Sequence, residues 1–253
     1  MRTDLPSGLA VGIPWQRAVN DPSWYVHALT MLEPNWFYNW KYDLCGQFDN
    51  FVPMIWRMNL EWLARALPTI KQYSTHLWLL GNEPERAEQS DTPPEVFAET
   101  VRELKRQTGS WVVPIAIPGV LHDYMSGGKN WTQAYLDAGG PLPDYWHIHL
   151  YEPNAMMIHS RIGSWKKKFG DGIPIIVSEV ASWRRDDNRP QEVMSAIRQA
   201  LAKGDIHAAA WFSAYYETDM AFSSLLTAAG KLTELGEAFV AEQHLLNLPL
   251  VTA

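Results

Sequence analysis

Apolar residues recur along the chain in short, almost unbroken runs, separated by stretches with helical periodicity. Eight runs read as strands: "LAVGIP" (9–14), "NWFYNW" (35–40), "FVPMIW" (51–56), "HLWLLGNE" (76–83), "WVVPIAIP" (111–118), "YWHIHLY" (145–151), "IPIIVSE" (173–179) and "AAAWFSAY" (208–215). Continuous hydrophobicity, as opposed to alternation, marks parallel strands covered on both faces. Amphipathic stretches stand between and after them: "LEWLARALPTIKQY", "PPEVFAETVRELKRQT", "MIHSRIGSWKKKFG", "PQEVMSAIRQALAKG" and "LTELGEAFVAEQHLL". The second of these opens on Pro93-Pro94 and closes on basic residues, the expected helix punctuation. Only "KYDLCGQFDN" separates the second and third strands, too little for a full helix, so the second β/α unit reads as degenerate.

Eight strands alternating with helices over 253 residues predict an α/β fold, a (β/α)8 TIM barrel occupying residues 1–253 as a single domain. An open doubly wound sheet fits less well, because "VGIPWQR" follows the first strand where a glycine-rich phosphate loop would stand. The net charge of −7 and the absence of a basic stripe argue against nucleic acid as a partner and favour a neutral ligand. Cys45 is the one cysteine, which excludes an intrachain disulfide and a thiolate metal cluster. The N-terminal "MRTDLPSGLAVGIPW" has no signal-peptide pattern, and no apolar run approaches bilayer-spanning length, so a soluble protein without a membrane partner is expected.

Two apolar runs end in carboxylates. "LWLL" leads to Asn82-Glu83-Pro84, and "PIIV" leads to Ser178-Glu179. Burying a carboxylate there is costly without partners, and Pro84 is expected to bias Glu83 toward an extended backbone. One such glutamate usually caps a helix or joins an ion pair. Two at the carboxyl ends of barrel strands, where barrel active sites are built, suit glycosidic bond cleavage. One gives a proton to the leaving oxygen and the other attacks the anomeric carbon.

Asn82-Glu83 and Glu179 resemble the signature of clan A glycoside hydrolases. "WFYNW", "FVPMIW", "LLGNEPE", "YWHIHLY", "PIIVSEVA" and "AAAWFSAYY" together resemble the catalytic core of glycoside hydrolase family 128, across nearly the whole chain. That resemblance implies a retaining β-1,3-glucanase, endo-acting, that needs no cofactor. Glu83 would be the general acid/base and Glu179 the nucleophile. Asn82 would bind the sugar 2-hydroxyl, Tyr151 would orient Glu179, and Trp211 would form the floor under the sugar being cleaved. The family often reads HWYG at the sixth strand, whereas this chain reads His149-Leu150-Tyr151-Glu152.

Trp40, Trp56 and Trp183 stand at or just past strand ends, where flat rings could stack on pyranose faces; Asn39, beside Trp40, joins them as a substrate contact. Trp24, Trp62, Trp78 and Trp165 read as core. His149 is expected near substrate. The loops 119–131, with Tyr124, Gly127-Gly128 and Trp131, and 216–231, with Tyr216, are expected to shape the cleft. The partner is then a β-glucan polysaccharide or oligosaccharide, met by a monomer. Extracellular work is expected for a polymer, with cytoplasmic action on imported oligosaccharides as the alternative. Two other functions compete: a carbohydrate-binding barrel with little hydrolysis, and a metal-dependent hydrolase using His147 and His149 with the strand-end acids.

Overall fold

The computed structural model describes residues 7–14, 22–109, 115–120, 130–184 and 189–247. Among them, eight strands alternate with seven α-helices: β1 (Gly8–Gly12), α1 (Ser23–Leu32), β2 (Phe37–Tyr38), β3 (Met54–Ile55), α2 (Leu60–Gln72), β4 (Trp78–Leu80), α3 (Pro94–Thr108), β5 (Ile115–Val120), α4 (Trp131–Asp137), β6 (Tyr145–Tyr151), α5 (Ala155–Phe169), β7 (Ile175–Ala181), α6 (Arg189–Ala202), β8 (Ala208–Trp211) and α7 (Glu234–Asn247). The strands form one sheet in the order β2-β1-β8-β7-β6-β5-β4-β3. The fold is a (β/α)8 barrel, with no helix between β2 and β3, as the degenerate second unit predicts.

Several elements differ from the sequence pattern. β2 and β3 are two residues each, β4 stops at Leu80, and β8 stops at Trp211. β7 instead continues past Glu179 to Ala181. Apolarity marks burial, and buried backbone continues beyond the hydrogen-bonded ladder, so the runs overstate most strands. Helices α1 and α4 were not among the amphipathic stretches. Most of the predicted loop 119–131, including Tyr124 and Gly127-Gly128, lies outside the described residues.

Two compact units make up the chain, one chiefly Tyr38–His149 with Gly172–Ile176, the other Ser7–Phe37, Leu150–Asp171 and the chain from Val177 onward. In the first, β3 and β5 flank β4 in parallel, with Met54 opposite Leu79 and Trp78 opposite Ile115. The ends of its helices are fixed by side chains. Asn59 accepts from Trp62 N at 2.9 Å to start α2, and Asn130 accepts from Gln133 N at 3.0 Å to start α4. Each such cap contributes about 1 kcal/mol. Phe97 of α3 meets Trp131 and Tyr135 edge-on, at 5.1 and 5.7 Å. Trp131 is buried and donates its indole N–H to Thr92 O at 3.0 Å. It is therefore core, not the cleft residue expected.

In the second unit, β1 runs parallel to β8, pairing Ala10 with Ala210 and Val11 with Trp211. The alanines 208–210 are fully buried beside Leu9, Ala10 and Val11. Asn154 starts α5 by accepting from Met157 N at 3.0 Å. Trp24 and Trp165 are buried here, and Trp78 in the first unit, as core residues should be; Trp62 is half-buried. Among the described residues no helix is long and apolar enough to cross a membrane.

Candidate active site

Each unit presents one of the two carboxylates, with its own partners. In the first unit β4 ends at Leu80, and Gly81 follows with φ +79°. A Cβ at Gly81 would lie 2.5 Å from Phe97 Cε2, so packing and backbone both demand glycine. Glu83 then takes φ +45°. This corrects the expected extended conformation: the proline does keep Glu83 out of the right-handed region, but through a left-handed turn instead of a prolonged strand. A non-glycine residue there is strained by about 1 kcal/mol, and the following segment holds it. Arg86 N donates to Glu83 O at 3.0 Å, Gln89 N to Arg86 O at 3.0 Å, Ser90 N to Asn82 O at 3.1 Å and Thr92 N to Pro84 O at 3.0 Å.

Glu83 is buried, and both carboxylate oxygens are engaged. Oε1 lies 2.8 Å from His149 Nδ1, and Oε2 accepts from Arg86 Nη1 at 3.0 Å. Asn82 donates its amide to Gln89 Oε1 at 3.2 Å. Its Oδ1 is buried without a donor among the described residues, as an acceptor for a ligand hydroxyl would be. His147 is fully buried and its Nε2 donates to Leu80 O at 3.1 Å. Burial pushes its imidazolium down to about 3, the Leu80 bond opposes this, and the nearby His149 adds to it. His147 is thus a neutral group whose Nε2 is tied to the main chain.

In the second unit Glu179 lies buried within β7, two residues before its end. Tyr151, the last residue of β6, donates its hydroxyl to Glu179 Oε2 at 2.6 Å. The next residue, Glu152, accepts from Arg161 Nε at 2.6 Å. It ties the strand end to α5, and this accounts for one departure from the HWYG pattern.

The aromatic residues and Asn39 separate in a way the sequence did not show. Trp211 is fully buried and donates its indole N–H to Ser223 O at 2.9 Å, so it exposes no ring face for a sugar. Its neighbour Phe212 is half-buried and meets Tyr151 at 5.8 Å and Tyr216 at 5.0 Å. Phe212 is therefore the member of this pair with an accessible ring: consecutive residues point to opposite sides of an extended chain, and an aromatic pair does not reveal in the sequence which one is exposed. Asn39 is also fully buried; it donates to Asp43 Oδ1 at 3.0 Å and accepts from Lys41 N at 3.1 Å, which makes it a turn organiser and not a ligand contact. Trp40 is half-buried with φ +61° and packs on Tyr38 at 4.7 Å. Trp56 is half-buried between Trp62, at 6.3 Å, and the Arg57 guanidinium, 5.8 Å from its ring centre. Trp183 is 52% exposed, with Arg184 5.3 Å from its ring centre. Arg86, Gln89 and Phe212 are the functional candidates that sequence reasoning missed. The spacing of Arg86 three residues after Glu83 was the available signal for the first.

Comparison with known proteins places the glycosyl hydrolase catalytic core over residues 12–239. The curated proteins include no match to the chain. Among solved structures, an endo-β-1,3-glucanase of glycoside hydrolase family 128 (subgroup II) from Pseudomonas viridiflava is 26% identical, with a TM-score of 0.69 over 85% of this chain and 93% of that one. A subgroup VI exo-β-1,3-glucanase from Aureobasidium namibiae is 19% identical, with a TM-score of 0.73 over 94% and 97% of the two chains. A mutant subgroup I endo-β-1,3-glucanase from Amycolatopsis mediterranei, in complex with laminarihexaose, is 21% identical, with a TM-score of 0.68 over 93% and 99%.

Proposed function

The chain belongs to the glycosyl hydrolase catalytic core family, and on that premise we propose that it is a retaining, endo-acting β-1,3-glucanase of the family 128 type. The observation that carries this reading is the pair of buried strand-end carboxylates, each with dedicated donors. Glu179 accepts the Tyr151 hydroxyl, and Glu83 accepts Arg86 and lies against His149. The likeness to the Pseudomonas viridiflava endo-β-1,3-glucanase supports the linkage.

In the first step Glu179 attacks the anomeric carbon as Glu83 protonates the departing glycosidic oxygen. The glycan then remains covalently attached to Glu179. In the second step Glu83, now ionised, takes a proton from water. That water attacks the same carbon and releases Glu179. The Tyr151 hydroxyl steadies Glu179 as a carboxylate before attack, because hydrogen bonds to a charged group are stronger than those to its neutral form. Asn82 Oδ1 is an acceptor for the sugar 2-hydroxyl, and Phe212 offers a ring face to the pyranose. One chain supplies both carboxylates, so a monomer suffices. Action on a polymer suits work outside the cell.

A carbohydrate-binding role with little hydrolysis is favoured by one observation: a carboxylate already held by a guanidinium gives up its ionised form less readily than a general acid should. Incubation with laminarihexaose and linear β-1,3-glucan separates the two. Shorter oligosaccharides from the native protein, and none from Glu179→Gln, support the glucanase. Binding without products supports the alternative.

A further inference from the structure

We propose that Arg86 is a positioning residue for the acid/base carboxylate, clamping Glu83 through Oε2 while His149 clamps it through Oε1. This rests on the reading of Glu83 given above. The left-handed turn takes Glu83 out of the β4 ladder, so the aim of its side chain is set by side-chain contacts. The clamp is local, because Arg86 sits three residues on and its own N–H closes the turn onto Glu83 O at 3.0 Å. The guanidinium is itself anchored from the other side. Its Nε donates to Glu88 Oε1 at 2.7 Å, and Nη2 donates to the same oxygen. Three of its donors are therefore in use, one on Glu83 and two on Glu88. Burial draws the guanidinium down, but Glu88, Glu83 and Glu85 outweigh it and raise it, so Arg86 stays charged throughout the cycle. The Glu83 side chain is only 5% exposed, and a charge-assisted hydrogen bond is strong at such a site.

The clamp matters most when Glu83 is ionised and must point at the attacking water. Arg86 thus acts through Glu83 and touches no reacting atom itself. A planar fork makes both contacts at once, whereas the single ammonium of lysine covers one of them well.

The test compares native protein, Arg86→Gln, Arg86→Lys and Glu83→Gln on the 2,4-dinitrophenyl glycoside of laminaribiose. This leaving group departs without acid help, so the second step limits turnover. Loss of the clamp is expected to lower kcat about tenfold and KM by a similar factor, leaving kcat/KM unchanged. Arg86→Lys should recover part of the loss. A merely structural defect would lower kcat and kcat/KM together, and that result, or an unchanged kcat in Arg86→Gln, overturns the proposal. If Arg86→Gln does not fold, Arg86→Lys carries the same comparison with a smaller drop. Glu83→Gln tests the underlying reading separately: without the paired fall in kcat and KM, Glu83 is not the acid/base. In that case the clamp is read from the nitrogen-15 NMR signals of Arg86. Resolved, slowly exchanging guanidinium protons that collapse in Glu83→Gln support the contact, and averaged signals in the native protein refute it.

Discussion

The two carboxylates sit in contrasting surroundings. Glu179 lies inside a seven-residue strand and accepts a hydroxyl from Tyr151. Glu83 lies beyond a three-residue strand, on a left-handed turn, between an arginine and a histidine. A nucleophile must be ionised and correctly aimed before attack, which a regular strand and a neutral donor provide. An acid/base must gain and lose a proton each cycle. Its surroundings therefore include groups that can carry or share charge, and a turn whose side-chain contacts set its aim. On the proposed reading, the division of labour between Glu83 and Glu179 follows from this contrast.

The contrast can be broken at its strongest point first. Glu179→Gln is expected to lower kcat on β-1,3-glucan at least about 10³-fold with the fold intact, since the covalent route is lost. Retained turnover, read from reducing-sugar release, would mean that the strand-held carboxylate is not the nucleophile. Tyr151→Phe removes one charge-assisted hydrogen bond, about 1.5–3 kcal/mol, and should slow the first step by about ten- to a hundredfold. The matching loss should appear in kcat/KM for oligosaccharides.

On the other side, Gly81→Ala forces a side chain into Phe97 and onto an unfavourable backbone. It is expected to destabilise the protein by about 1–3 kcal/mol, seen as a lower thermal midpoint, with the Glu83 turn displaced and activity reduced. Phe212→Ala should raise KM for short oligosaccharides by about tenfold, the worth of one aromatic stacking surface. Trp211→Phe should instead show its effect in stability, because that ring is fully buried. Equal KM changes from both would restore Trp211 as the sugar floor.

His147 gives an effect confined to the pH dependence of stability. Its folded value lies near 3 against an ordinary 6.5, so the unfolded chain binds the proton more readily between those limits. Stability attributable to His147 is present above about 6.5 and is lost as pH falls toward 3. Replacement by Asn should flatten that part of the pH–stability curve in denaturant titrations, at some cost in stability at neutral pH. An unchanged curve would mean that His147 is not held neutral.

Much of this organisation was legible in the chain. Apolar runs marked all eight strands, and a carboxylate terminating such a run singled out Glu83 and Glu179. Tyr151 was legible through the family resemblance at the sixth strand. What escaped was local geometry. Pro84 excludes one backbone region for Glu83 without selecting among the others, so the left-handed turn was invisible. The Arg86 clamp depends on that turn, and the spacing of Arg86 three residues after Glu83 was its only trace in the sequence. "WF" at 211–212 shows two aromatics but not which one faces the ligand. Asn39 beside Trp40 looked like a sugar contact, although Asp43 and Lys41 in the same turn absorb both ends of its amide.

The most direct test follows the anomeric protons by ¹H NMR while the native protein hydrolyses laminarihexaose, with Glu179→Gln run in parallel. The account predicts that the first new reducing ends are β-anomers, that they mutarotate only later, and that the variant produces none. Initial α-anomers, or equal turnover by Glu179→Gln, would contradict a retaining mechanism built on Glu83 and Glu179.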